Sequence, residues 1–423
     1  MALRTQNERF ARARILAMRI RENRENLIGA LITAESHESA QFEIEMSIRA
    51  LENIYQEPAM STPGNGNLNI SVFLPQNLPL YSIVLMAAIP HLLAKSTFMK
   101  PSHLSRDLYQ RVHEILFFDD EDLTLCTSTR RVFTEAFASV SDVVIFAGEH
   151  YNALKLAELC PNALFIHLGH GPNPMVLLPD GDIDKAAYAA SKARCFNSGQ
   201  DCSAPDIIFI PSNMKRSFIE TLSSYLEKVL VGDYSDPRVT VGPIRDEQVV
   251  RYCNEFIRDH QELVVYGGHV DVVKQLVFPT IMYSEHRDPY VKCNDLFAPL
   301  FFVVGYENPR DLDDLLRKDI FTEYAMFLSV FTTSAPPAGL IDNKLETVII
   351  NGSPLANEDP NRPFGGYGSR ASAVRRSSRY ESRPILISTE IARHFGAYPS
   401  HEESYCSVTS SLGPECPVSK AHS

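Results

Sequence analysis

The chain is 423 residues long, more than one ordinary core can use, and 44% of it is apolar, enough to fill two. With 40 basic against 52 acidic residues the formal charge is −12, which repels phosphate backbones and anionic lipid and argues against nucleic-acid and membrane partners. No apolar run approaches the length that crosses a bilayer. The eight cysteines show neither CxxC nor CxxH spacing, so neither a zinc site nor a disulfide scaffold is indicated, and a reducing cytoplasm fits. The Arg-rich start, MALRTQNERFARARILAMRI, lacks the apolar core of a secretory signal, and Glu8, Glu22 and Glu25 are out of keeping with an organellar leader.

Apolar residues at helical intervals predict a helix from about Asn7 to Thr33 and a second carrying Phe42, Ile44, Ile48, Leu51 and Tyr55 on one face. Ser61–Asn67 reads as a loop. Short apolar strands then alternate with helices: Asn69–Leu74, Ser96–Met99, Asp142–Phe146 and Ala163–Leu168, with a helix starting at Pro79. The alternation resumes with a helix over Ile183–Ala193, a strand Asp206–Pro211 and a helix Met214–Val229. Further strands are expected near Leu263–Tyr266, Phe301–Tyr306, Ala325–Phe331 and Thr347–Ile350. Continuous apolar strands separated by helices imply parallel sheets covered on both faces, and so an α/β protein of two domains. The end, Ala397–Ser423, is rich in Ser, Pro and Glu and is expected to be a disordered tail.

The stretch Phe196-Asn197-Ser198-Gly199-Gln200-Asp201-Cys202 stands out, because it surrounds a cysteine with polar residues that a core would not choose. It resembles the FxNxGQxC signature of the aldehyde dehydrogenase superfamily. The resemblance extends in order along the chain. Pro75-Gln76-Asn77-Leu78-Pro79 is similar to PWNFP, Lys100-Pro101-Ser102 to KPS, and Ile145-Phe146-Ala147-Gly148 to the strand ending in FTGS. Ile166-His167-Leu168-Gly169-His170 stands where the family has ELGG, and Asn173-Pro174 with Pro179-Asp180-Gly181-Asp182 follows its NP…DADLD run. Asp295-Leu296-Phe297-Ala298-Pro299 resembles EIFGP, and Pro363-Phe364-Gly365-Gly366-Tyr367 resembles PFGGY.

This resemblance implies an aldehyde dehydrogenase-like fold: two parallel-sheet, Rossmann-like domains with a small oligomerisation segment. Residues 1–170 would hold the nicotinamide cofactor, 171–370 the catalytic cysteine, and 371–396 would return for oligomerisation. It implies a homodimer, a small-molecule aldehyde or acyl thioester as substrate, and NAD or NADP as cofactor. Cys202 would be the thiolate nucleophile and Asn77 an oxyanion donor. Lys100 would hold the adenosine ribose, Asp295 the nicotinamide ribose, and Phe297 would pack near the nicotinamide. Ser102, Gly148, Leu168 and Gly169 complete the implied cofactor contacts. Tyr151, Asp201 and Phe364 are expected near the mouth of the substrate pocket.

Departures from the family pattern bear on mechanism. The ELGG glutamate, which activates the hydrolytic water, is His167, a residue able to act as a base near neutrality. Glu149 replaces the serine near the cofactor diphosphate and puts a negative charge there. His103 replaces an acidic residue near the adenosine ribose, which opens the way to NADP. His170 replaces a glycine. Three readings follow: oxidation of an aldehyde to an acid with His167 as base, a coenzyme A- or carrier-thioester-linked acylating enzyme, and a catalytically silent scaffold.

Overall fold

The computed structural model describes residues 4–62, 67–285, 296–341, 346–377, 379–396 and 408–410. Its first sheet holds β1 (Asn69–Phe73), β2 (Ser96–Lys100), β3 (Leu123–Leu125), β4 (Val143–Ala147) and β5 (Leu164–Leu168). They run parallel in the order β5-β4-β1-β2-β3, so the chain reverses its direction of winding between β1 and β4. Side chains alternate between the two faces. In β4, Val143 and Ile145 join the core under the leading helices, with Leu27, Ile44 and Leu51. Val144 and Phe146 join a second core with Phe133, Leu156 and Phe165. This alternation sets which strand-end residues face the cavity described below.

The second sheet is built from β6 (Asn173–Leu177), β7 (Pro205–Pro211) and β8 (Val264–Tyr266). After a small ribbon, β9 (Val270–Asp271) with β10 (Leu276–Val277), come β11 (Thr280–Glu285), β12 (Leu300–Tyr306), β13 (Phe327–Phe331) and β14 (Thr347–Ile350). The order is β14-β13-β6-β7-β12-β11-β8, parallel except at β8. The chain then returns to the first sheet. β15 (Ser372–Arg376) pairs antiparallel with β5, and β16 (Arg379–Ser382) with β15.

The strands expected from apolar runs are present within a residue or two of their predicted ends. The long leading helix is instead two, Gln6–Glu22 and Arg24–Leu31, because the Asn23 amide donates to the Arg19 carbonyl at 3.0 Å and closes the first. The strands β3, β6, β9, β10, β11, β15 and β16 were not anticipated, and β15 shows why. Its Arg375 is buried, lies over the Phe165 ring, and donates to the Ala157 and Cys160 carbonyls at the end of the helix His150–Leu159. A charge that caps a helix disguises a core strand. Within the expected tail, Val408–Ser410 forms β17, which pairs in parallel with β14; residues 397–407 and 411–423 lie outside the described residues.

The second sheet carries a buried ion pair. Arg194, from the helix Ile183–Cys195, places Nη1 2.8 Å from Asp206 Oδ1 on β7, with both side chains under 5% exposed. Arg194 Nε donates to the Leu300 carbonyl at 3.2 Å, and Asp206 Oδ2 accepts the Asn173 N–H at 2.9 Å. Asp206→Ala would strand a buried guanidinium, which should cost about 3–5 kcal/mol. The urea-unfolding midpoint measures it; an unchanged midpoint would contradict this weight.

Candidate active site

Between the helix Ile183–Cys195 and β7 the chain turns through Asn197 (φ 46°), Ser198 (φ 56°) and Gly199 (φ 79°). Left-handed backbone costs an L residue roughly 1–2 kcal/mol, so the first two need compensation. They receive it. The Ser198 hydroxyl lies 2.6 Å from Tyr234 Oη and accepts the Gly242 N–H at 2.8 Å. The Gln200 carbonyl accepts Asn77 Nδ2 at 2.8 Å and Asn197 Nδ2 at 3.4 Å, and Gln200 Nε2 donates to the Asn197 carbonyl at 3.2 Å. Gly199 is needed for space as well, since a Cβ there would lie 2.3 Å from the Ala298 carbonyl carbon. The Cys202 carbonyl accepts Asn173 Nδ2 at 2.8 Å, and that amide also reaches Asp206 at 3.4 Å. Through Asn173 the buried ion pair anchors the cysteine turn. Gly199→Ala should therefore displace Cys202 and slow its alkylation by iodoacetamide severalfold; an unchanged rate would show that the turn tolerates the extra methyl.

Cys202 is partly exposed and lies on the wall of a cavity of about 220 Å³. Asn77, Gly148, Leu168, Gly169, His170 and Phe297 share that wall. So do Asp201 and Phe364, whereas Tyr151 is exposed and stands elsewhere. Asn77 spends one amide hydrogen on Gln200, and an amide carries two. Further in, the wall is apolar, with Phe42, Leu85, Met86 and Ile89. Its polar groups include Glu358, whose Oε1 accepts the Tyr81 hydroxyl at 2.6 Å. Gly169 is fixed by the returning chain: its N–H donates to the Ala371 carbonyl at 2.7 Å, and a Cβ would meet that oxygen at 2.8 Å.

His167 is not on this wall. It turns to the opposite face of β5, stacked on Phe146 (centroids 6.1 Å apart), with the His150 ring 5.7 Å away. Leu168, its neighbour, takes the cavity side. His167 Nε2 lies 2.8 Å from the Gly148 carbonyl, which can only accept, so Nε2 carries the proton. Burial lowers the imidazole pKa to about 4, keeping it neutral at pH 7. An unfolded histidine titrates near 6.5, so stability from the neutral ring is full above that pH and falls as pH drops toward 4. Proton NMR should show the His167 ring titrating well below pH 6; an ordinary midpoint near 6.5 would contradict its burial.

The remaining predicted residues sit at the carboxyl ends of the first sheet or beside it. Lys100, buried at the end of β2, is not on the cavity wall; its Nζ donates to the Pro101 carbonyl at 2.9 Å. Ser102 is half-buried and His103 exposed, at the short turn after β2. Glu149 pairs with His170 at 2.8 Å, so its carboxylate has a local partner. Asp295 lies outside the described residues.

Sequence reading missed Arg130. It lies over the Phe73 and Phe146 rings, 5.9 and 5.4 Å from their centroids, at the ends of β1 and β4. It is exposed, the partial desolvation of its guanidinium over the two rings lowers its pKa, and among the described residues no carboxylate pairs with it. It stands where the winding of the sheet reverses, the place at which open parallel sheets bind ligands. Its signal was weak, because one arginine at a helix start resembles any solvated charge.

The aldehyde dehydrogenase family model matches residues 1–382. The chain belongs to the aldehyde dehydrogenase family. Among curated relatives it is 27% identical over 202 residues to human mitochondrial 10-formyltetrahydrofolate dehydrogenase, covering 46% of this chain and 22% of that protein. To a Staphylococcus saprophyticus protein named as an aldehyde dehydrogenase it is 30% identical over 206 residues, covering 47% and 42%. The matched stretch thus spans less than half of each curated relative. The fold is similar to glyceraldehyde-3-phosphate dehydrogenase GapN of Methanocaldococcus jannaschii complexed with NADP (TM-score 0.77, 19% identity, 92% of this chain and 88% of that one). It is also similar to a Mycobacterium tuberculosis aldehyde dehydrogenase complexed with NAD+ (TM-score 0.74, 18% identity, 92% and 84%). Among the described residues no helix is long and apolar enough to cross a membrane.

Proposed function

We propose that this family member oxidises an apolar aldehyde, using NAD or NADP, through a thioacyl intermediate on Cys202. The observation that carries the reading is that Cys202 and the Asn77 amide share one cavity wall with the strand-end residues Gly148, Leu168 and Gly169. An aldehyde carbon does not release hydride readily, and adding the Cys202 thiolate turns it into a tetrahedral thiohemiacetal that does. The second N–H of Asn77 and the Cys202 backbone N–H stabilise the oxyanion, each such donor being worth about 2.7–4 kcal/mol in the barrier. The nicotinamide supplies the hydride acceptor when bound. The apolar wall around Phe42, Leu85, Met86 and Ile89 suits an alkyl or aryl chain.

The strand ends suit a dinucleotide. Arg130 offers an exposed guanidinium without a carboxylate partner among the described residues, its Nη2 donating to the Asn152 carbonyl at 3.4 Å, and Lys100 a buried ammonium that donates to a carbonyl. Both await an anion or a hydroxyl. His170 answers the unfavourable charge of Glu149. On this reading residues 1–170 form the nucleotide unit, 171–370 the catalytic unit and 371–396 the oligomerisation segment. A homodimer is supported by β16, the edge strand of the first sheet, whose outer side pairs with no strand among the described residues. A thioester-linked enzyme is the second reading, favoured by the withdrawal of His167 from the cavity.

Cys202→Ala should abolish production of reduced nicotinamide from linear aldehydes and leave cofactor binding intact; full turnover in that variant would remove the nucleophile. Arg130→Gln should weaken NADPH binding, followed by the cofactor's own fluorescence in this tryptophan-free chain, by about tenfold or more. Equal affinity would exclude Arg130 from the site, and failure of wild type to bind either nicotinamide would leave a silent scaffold.

A further inference from the structure

With His167 turned away, acyl release needs another proton acceptor, and the cavity wall carries four carboxylates: Glu57, Asp201, Glu358 and Asp359. Three are committed. Glu57 accepts Asn361 Nδ2 at 2.9 Å on one oxygen and the Ser388 hydroxyl on the other. Asp201 accepts the Ser203 N–H at 3.0 Å and the Ser203 hydroxyl at both oxygens. Asp359 accepts the Asn361 N–H at 3.2 Å and faces Arg49 and Arg362 at 3.7 and 3.9 Å. Glu358 differs. Its Oε1 is held by the Tyr81 hydroxyl, and among the described residues its Oε2 is bonded to no protein group. Tyr81 is itself fixed, its backbone N–H donating to Glu43 at 2.7 Å. One oxygen is anchored, the other left for a water.

We propose that Glu358 is the general base of acyl release, taking through Oε2 a proton from a cavity water. The hydroxide adds to the thioacyl carbon on Cys202, the carbon–sulfur bond breaks, the thiolate returns and the carboxylic acid leaves. The proposal rests on the Cys202 chemistry above and replaces the role expected of His167. Its neighbours suit the task. Burial, with Asp201 and Asp359 adding negative charge, raises the Glu358 pKa to about 7, while the Tyr81 hydrogen bond and Arg49 pull it down. Glu57, Arg362, His170 and Cys202 are the other ionisable groups on the wall beside Tyr81. A base with that pKa is half deprotonated at neutrality and strong enough to accept a proton.

The test is rapid mixing with a series of linear aldehydes, octanal among them, and NAD+ or NADP+, reading the first-turnover burst apart from the steady state. Wild type should burst and then turn over without added thiol, at a steady rate that rises with pH through a midpoint near 7. Glu358→Gln should keep the burst, lose about 10²- to 10⁴-fold in the steady rate, and lose the pH limb. Glu358→Asp should restore part of both. Tyr81→Phe removes a donor to the carboxylate, so the midpoint should move to higher pH; this variant keeps the proposal testable if Glu358→Gln folds poorly. An unchanged steady rate and pH limb in Glu358→Gln would overturn the role, as would wild-type turnover that requires coenzyme A. A missing wild-type burst, or one that survives Cys202→Ala, would instead overturn the Cys202 reading beneath it.

Discussion

The structure depends on a buried charge being satisfied. Arg194 and Asp206 are buried against the second sheet, where an unpaired ion costs several kcal/mol, so their geometry is tightly prescribed. Asp206 has a second oxygen to use, and it binds the Asn173 N–H at the start of β6. The Asn173 amide then reaches the Cys202 carbonyl. A constraint that belongs to folding thus fixes the backbone of the proposed nucleophile. The left-handed turn through Asn197, Ser198 and Gly199 is the other half of this device, strained locally and held by Tyr234, Gly242 and Gln200. Rigid positioning of this kind lets a single thiol meet a substrate carbon without searching for it.

Much of the fold was legible because buried parallel strands write themselves as short apolar runs, and the expected strand at 142–146 differs from β4 by one residue. What stayed hidden broke that pattern for physical reasons. Asn173 opens β6 because its amide is needed at Cys202 and Asp206, so a strand looked like a motif. Arg375 sits in β15 because it caps a neighbouring helix. Asn23 divides the leading helix by closing it with its own side chain.

The site was legible in composition and less so in direction. The turn ending at Cys202 names itself, and Asn77, Gly148, Gly169 and Phe297 gather on its cavity. A sequence match assigns a residue to a strand but not to a face. His167 holds the position of a base, yet the two-residue period of β5 and the Gly148 carbonyl turn it to the other side. Arg130 and Glu358 carry no signal of their own, since each matters only through rings or hydroxyls contributed by distant segments.

The central claim is that the sulfur of Cys202 forms a covalent bond to the substrate carbon. Its most direct measurement is peptide mapping by mass spectrometry of enzyme quenched in acid during turnover of aldehyde with oxidised nicotinamide. The account predicts an added acyl group on the peptide bearing Cys202. Acylation of Cys126, Cys160 or Cys253 instead, or reduced nicotinamide formed with no acylated peptide at any time, would contradict it.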